Sequence, residues 1–343
     1  MRSTTFFFLG ALSLAAQPGA AQPAAQARFL TTGRIVRQGP GLDQLVAPGA
    51  QLEIIASGFG HIEGPVWVAD SSMLLFSDTP TRTIYRWTAT NKCTKFLEYS
   101  GYTGRMPYSK EPGSNGMALD GRGNLLICEH GDRRLAALPL AEKSGKRTLT
   151  DNHQGQRYNS PNDVVASANG TLYFTDPPFG LPQQANDPRR EAPVGGLYRR
   201  APDGKVTCET TELSRPNGLA FSPNGRTLYV SNADSLRPVI LAYEVKSNGR
   251  LGKSRSFFDM SKVTGRRPKE VPDGLKTDAA GNIYASGFGG ILVLSPQGQH
   301  LGTLDPGVTA ANCAWGDDGH TLYITAGTFM CRVKTLSQGK VGN

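Results

Sequence analysis

Six polar residues stand in corresponding places along the chain, each ahead of a run of apolar residues. They are Glu63 in EGPVW, Asn115 in NGMALD, Asn162 in SPNDVV, Asn217 in RPNGLAF, Asp273 in PDGLKTD and Asn312 in NCAW. Their side chains offer carboxylate and amide oxygens, with no thiolate and no imidazole. Hard divalent cations take such ligands; Ca2+ accepts several oxygens from Asp, Glu, Asn and water in flexible geometry. Two carboxylates and two amides from such a ring would cancel a dication's charge and leave room for water or a bound molecule. Zinc, which prefers His and Cys, suits the set less well. A local reading competes: Asn-Gly and Asp-Gly are turn dipeptides, and each residue taken singly can serve a turn.

Bringing six separate stretches together requires a radial architecture, and the sequence repeats accordingly. One phrase recurs six times: MLLFSDTPTRTIYRW from Met73, GNLLICEHGDRRLAAL from Gly123, GTLYFTDPP from Gly170, RTLYVSNAD from Arg226, GNIYASGFGGILVLS from Gly281 and HTLYITAGTFMCRVK from His320. The spacing is that of propeller blades. Turn pairs precede the strands at Asp120-Gly121, Asn169-Gly170, Asn224-Gly225, Ala280-Gly281 and Asp318-Gly319, and such pairs suit tight hairpins. Long amphipathic helical patterns are absent. The expected fold is all-β, a six-bladed β-propeller with a central metal site, spanning 46–343; a β-sandwich or a pair of them is the alternative. In a propeller the innermost strand of each blade lines the channel, which places the six polar residues in one inward ring. The segment from Gln51 to Ile55 is expected to close the last blade.

The chain has 343 residues, 38 % hydrophobic and 19 % charged, with 41 Gly and 23 Pro. This is a globular balance rich in turns. Residues 1–21 read as a secretory signal peptide: Arg2, an apolar run from Phe6 to Ala16, then small residues at Gly19-Ala20-Ala21. The run is too short to span a bilayer as an anchor. Residues 22–45 read as a loose leader. The product is then periplasmic or secreted, with no integral membrane segment after signal removal. A net charge of +9 is scattered over pairs such as Arg189-Arg190 and Arg266-Arg267, without the aromatic-interleaved stripe of a nucleic-acid binder. Five Cys match no zinc spacing. Cys93, Cys128 and Cys208 read as buried free thiols, and Cys313 and Cys331 are the best placed to pair. No G-x-S-x-G elbow supports a serine hydrolase, and GFGG at Gly287 lacks the strand-to-helix context of a phosphate loop. Nothing in the sequence specifies an oligomeric state.

EGPVW at Glu63, PNDVV around Asn162, RPNGLAFSPNGRTLYVSN around Asn217 and PDGLKTDAAGNIYASG around Asp273 together resemble the SMP-30/gluconolactonase/luciferin-regenerating-enzyme family. The likeness covers about residues 50 to 335, and the phrase from Asn115 looks like the bacterial gluconolactonase branch. The resemblance implies a six-bladed propeller holding Ca2+ (Zn2+, Mn2+ or Mg2+ being alternatives) on Glu63, Asn162, Asn217 and Asp273. Asn162's counterpart is sometimes assigned to substrate, and Asp273's is also proposed as general base or nucleophile. It further implies metal-dependent hydrolysis of sugar lactones, D-glucono-1,5-lactone to gluconate, with the cation polarising the carbonyl and activating water.

Around that centre, His130 in CEHGDRR can either give a hydrogen bond or proton to the sugar or hold a loop corner. Asn115, Asn162, His130 and Phe288 are the expected substrate contacts. Tyr158, Phe179 and Phe288 can equally be core between blades. His61 is expected to support Glu63, His153 is a weaker candidate, and Arg133 and Arg134 either touch sugar hydroxyls or are solvated. Two alternatives remain: a related hydrolase on the same frame (an organophosphatase or a pentonolactonase), and a non-enzymatic binding propeller.

Overall fold

The computed structural model of the chain describes Met1 and residues 29–342. The expected signal segment, apart from Met1, lies outside the described residues. Six antiparallel sheets of four or five strands form the molecule, beside one two-stranded ribbon. The inner strands are Ile62–Val68, Ser114–Leu119, Val164–Ala166, Pro216–Phe221, Leu275–Thr277 and Ala310–Gly316. Each packs on the inner strands of the blades before and after it, and the last returns to the first. The ring is therefore closed, as the repeat predicted. Among the described residues the only helices are four 3-10 turns of three to five residues.

The repeated phrase supplies the second and third strands of each blade. Second strands such as Met73–Asp78 and Leu172–Asp176 are buried along their whole length, because a neighbouring blade covers each face. They therefore read as continuous apolar runs rather than as alternation. The hairpin glycines sit where the sequence placed them; Gly170 and Gly225 have φ of +84° and +68°, which an L side chain tolerates poorly.

The last blade is closed from both termini. Leu52–Ser57 pairs with Phe329–Lys334, as expected for the segment from Gln51. Trp67 of blade 1 stacks on Tyr323 of blade 6 at 5.5 Å between centroids and 12° between planes. Such a pair contributes roughly 0.5–1.5 kcal/mol beyond its area burial.

The loose leader of 22–45 is corrected from Leu30 onward. Leu30–Thr32 pairs with Leu52–Ser57 on the rim of blade 6, and Arg34–Arg37 pairs with His300–Asp305 on the rim of blade 5. A turn at Gly33 joins them, where a Cβ would stand 1.9 Å from the Asp305 carbonyl oxygen. Open outer strands present unpaired N–H and C=O groups, and this segment covers two of them. Cys313 and Cys331 are also corrected: they lie on next-but-one strands with Ile324 between them, and all five cysteines are free thiols.

Candidate active site

The ring residues stand where the inner strands begin, at one mouth of the channel. Glu63, Asn115, Asn162, Asn217 and Asn312 are each exposed by 4 % or less. The turn reading is overturned for Asn115-Gly116 and Asn217-Gly218, which lie within strands, while Asp273-Gly274 stands just ahead of Leu275–Thr277. The ladder register slips beside Glu63, Asn115, Asn217 and Asn312. Bulges of this kind re-aim a side chain out of the sheet.

The glycine that follows a ring residue lets the next blade approach. A Cβ on Gly64 would meet the Asn115 carbonyl oxygen at 2.1 Å; on Gly116, Asp163 Oδ1 at 2.4 Å; on Gly218, the Asp273 carbonyl oxygen at 2.5 Å; on Gly274, Asn312 Cγ at 2.0 Å. Each glycine thus sets the position of the neighbouring blade's polar residue.

Hydroxyls on the second strands complete the positioning. Ser77 Oγ donates to the Asn115 carbonyl at 2.9 Å, Thr175 Oγ1 to that of Asn217 at 2.7 Å, and Ser231 Oγ to that of Asp273 at 2.6 Å. Ser286 does the same for Ala310. Blade 2 carries Cys128 at the corresponding place in its phrase; there the Gly116 N–H donates to the Asn162 carbonyl at 2.7 Å instead. Sequence reasoning missed these hydroxyls. Their signal was a small Ser or Thr recurring in apolar strands.

Electrostatically the mouth is a crowded set of buried acids. Burial, with Asp163 adding to it and His61 opposing it, pushes the Glu63 carboxyl up to about 7. Asp273 is held well above the carboxylate range by burial first, then by the charges of Glu63, Asp163 and Glu111. Glu63 Oε2 accepts from the Gly64 N–H at 3.0 Å and from Asn312 Nδ2 at 3.3 Å. Asn312 Oδ1 in turn accepts from the Cys313 N–H at 2.9 Å. Asn312 is therefore a holder of Glu63 rather than a free ligand. Asp163, which sequence reasoning passed over beside Asn162, adds another buried carboxylate.

Asp273 Oδ1, Asn115 Oδ1 and Asp163 Oδ2 are buried without a hydrogen-bond partner. Buried acceptors of that kind cost on the order of 1–3 kcal/mol each when nothing satisfies them. Among the described residues no three His, Cys, Asp or Glu side chains form a ready metal cluster, so a cation here depends on amides as well as carboxylates. A hard divalent ion would fit: its charge would offset the repulsion between Glu63 and Asp273, and coordination by Asp273 would satisfy its orphaned Oδ1.

His130 is wholly buried, and its Nδ1 lies 3.1 Å from the Glu111 carbonyl oxygen. A carbonyl only accepts, so Nδ1 carries the proton and Nε2 the lone pair. Nε2 has no partner. Burial lowers the pKa of this imidazole, so the neutral ring accepts at Nε2, where donation was one expectation. His61 is partly exposed, and its charge is felt by both Glu63 and His130. His153 stands apart, edge-on to Tyr198 in the two-stranded ribbon.

Phe288 as a substrate contact is corrected. It is 1 % exposed and packs among Met260, Leu275 and Leu292 between blades 4 and 5, with Arg266 over its ring. Tyr158 is likewise core, its hydroxyl paired with Thr150; Phe179 alone of the three aromatics is partly exposed. Arg133 and Arg134 are both engaged: Arg133 is buried and its Nε donates to the Tyr158 carbonyl at 2.6 Å, and the half-buried Arg134 pairs with Glu129 and Asp132.

Comparison with known proteins gives this arrangement a lineage. Residues 62–328 match the model of the SMP-30/gluconolactonase/LRE-like region. A gluconolactonase of Zymomonas mobilis is 38 % identical over 321 residues, covering 90 % of this chain and 88 % of its own length. A solved gluconolactonase from Xanthomonas campestris superposes with a TM-score of 0.77 at 28 % identity, over 92 % of this chain and 99 % of that one. A calcium-binding regucalcin from Agrobacterium tumefaciens shares the fold, with a TM-score of 0.66 at 18 % identity, over 92 % of this chain and 98 % of that one. The chain belongs to the SMP-30/gluconolactonase/LRE-like family.

Proposed function

We propose that this protein hydrolyses sugar lactones, D-glucono-1,5-lactone to gluconate above all, and that it requires a divalent cation, Ca2+ by the chemistry of its donors. The observation that carries the proposal is the convergence of Glu63 and Asp273 with the unpartnered, buried Asp273 Oδ1 and Asn115 Oδ1 at one mouth of the channel. The gluconolactonase relative at 38 % identity supports the substrate class.

Glu63, Asn162, Asn217 and Asp273 would hold the cation, which supplies a Lewis acid beside the lactone carbonyl. The Asn115 amide receives and gives hydrogen bonds to the ring hydroxyls. Asp273 orients the attacking water. His130 takes that water's proton at Nε2 and returns it to the ring oxygen as the acyl C–O bond breaks, so lactone and water become the aldonic acid with no proton left over. Asn312 keeps Glu63 in place, and the second-strand hydroxyls keep the ring rigid, which is the condition for positional catalysis. The charged and apolar pattern of residues 1–21 supports action outside the cytoplasm, in the periplasm or beyond.

The test is hydrolysis of glucono-1,5-lactone with and without EDTA, then in Asp273→Ala. The expected result is loss of turnover in both, with recovery on adding Ca2+ to the wild type. Turnover that survives EDTA, or full activity in Asp273→Ala, overturns the mechanism. Faster turnover of a pentonolactone or a phosphofluoridate reassigns the substrate while keeping the centre.

A further inference from the structure

The opposite end of the channel holds a separate cavity. It has a volume of about 600 Å³ and is built from the ends of the inner strands of blades 3, 4 and 5 and their hairpins, Ala166 to Asn169, Phe221 to Gly225 and Thr277 to Ala279. None of the ring residues lines it. Tyr173 and Phe221 form an apolar wall, edge to face at 5.5 Å and 85°.

Lys276 reaches this cavity from the channel wall. It is 7 % exposed, and its ammonium donates to the Leu275 carbonyl at 3.2 Å. An ammonium has three N–H donors, and that carbonyl takes one. From another blade, Asp163 of the ring mouth feels its charge, but the two form no ion pair among the described residues. Asp278, the carboxylate among the lining residues, is committed to the N–H groups of Ala280 and Asn282 and to Asn282 Nδ2. Lys246 and Lys340 stand exposed at the edge. A buried cation with spare donors, apolar walls and a basic rim makes a site for an anion with an apolar body. One ammonium at the end of an apolar chamber suits a monoanion, since a dianionic phosphate needs more donors.

We infer that this cavity is a second binding site, lined by none of the ring residues, that takes a small organic carboxylate, with Lys276 pairing its carboxylate and Tyr173 and Phe221 its apolar body. The site lies beyond the catalytic proposal and stands or falls apart from it.

The test is calorimetric titration of the full chain with octanoate, in EDTA so that no metal at the far mouth takes the carboxylate, and with 1-octanol as the uncharged control. Saturable binding of one octanoate per chain, at least tenfold tighter than octanol, is expected. Lys276→Met should weaken octanoate to the level of octanol. Should that variant fail to fold, Ala168→Trp on the exposed edge of the cavity blocks entry while leaving the ammonium in place, and octanoate binding should be lost. Absence of saturable octanoate binding, octanol binding as tightly, or wild-type affinity in a folded variant overturns the inference.

Discussion

Replacing Gly218 with Ala tests whether the glycines of the inner strands set catalytic geometry. The new Cβ would lie 2.5 Å from the Asp273 carbonyl oxygen and 2.5 Å from the Gly274 Cα. Both are backbone atoms of the next blade, so no side chain can swing away. Ordinary contact begins at 3.4 Å, and the two inner strands must separate by the 0.9 Å difference. Ser231 meanwhile holds the same carbonyl at 2.6 Å, so Asp273 is pushed by one contact and held by another. Overpacking of this kind costs about 1–3 kcal/mol, which leaves a domain of this size folded at room temperature. A misplacement near 1 Å at a reacting centre costs about 10²-fold in rate. The expected outcome is a kcat/KM for glucono-1,5-lactone lowered by about two orders of magnitude at saturating Ca2+, with an unchanged β-sheet circular dichroism spectrum and a modestly lower Tm. Gly49→Ala is the control, because nothing lies within 4 Å of its Cβ position. A Gly218→Ala protein with the kcat/KM and Ca2+ affinity of that control refutes the reasoning.

Ser231→Ala removes one hydrogen bond behind Asp273 and should lower stability by about 1 kcal/mol while reducing kcat several-fold; a loss of stability with kcat intact would reduce Ser231 to a structural role. His130→Gln should lower kcat by about 10²-fold. In the wild type the His130 ring should titrate below its ordinary value of 6.5, so its charging opposes folding only as pH falls below 6.5. A ring signal in an NMR titration with its midpoint at or above 6.5 contradicts the assigned environment. The thiols of Cys313 and Cys331 are pushed by burial up to about 12, and that of Cys128 is also raised, so none of the three should react with a disulfide reagent in the native protein. All five should react in denaturant, and fewer than five would reveal a disulfide.

The fold was legible because radial closure writes itself into the chain six times over. The buried second strands carry the LYF-like runs, the hairpins carry Gly170 and Gly225, and the ring residues fall at one phase of the repeat. Shorter pieces escaped. Leu30–Thr32 and Arg34–Arg37 are three and four residues long, too short for alternation to register against the Ala- and Gln-rich stretch before them. Phe288 was misplaced for a related reason: beside a strand covered on both faces, alternation does not separate a residue facing the channel from one facing the next blade.

The site was legible in its donors and hidden in its supports. Oxygen-bearing side chains at six equivalent places announce a polar ring, but sequence gives no distances, and so does not tell a ligand from the residue that holds it. Asn312 looks the same as Asn217 in the repeat, yet its amide is spent on Glu63 and the Cys313 N–H. The Gly after Asn115, Asn217 and Asp273 read as a turn signal when its role is close approach of the next blade. In both cases one residue serves packing and chemistry through a single contact. Gly218 touches Asp273 whether the ring is considered as the hub of a propeller or as a cation cage. A substitution there should therefore move stability and activity together but in unequal measure: a rate falls steeply with a displacement of about 1 Å, whereas the fold absorbs the same displacement for a few kcal/mol.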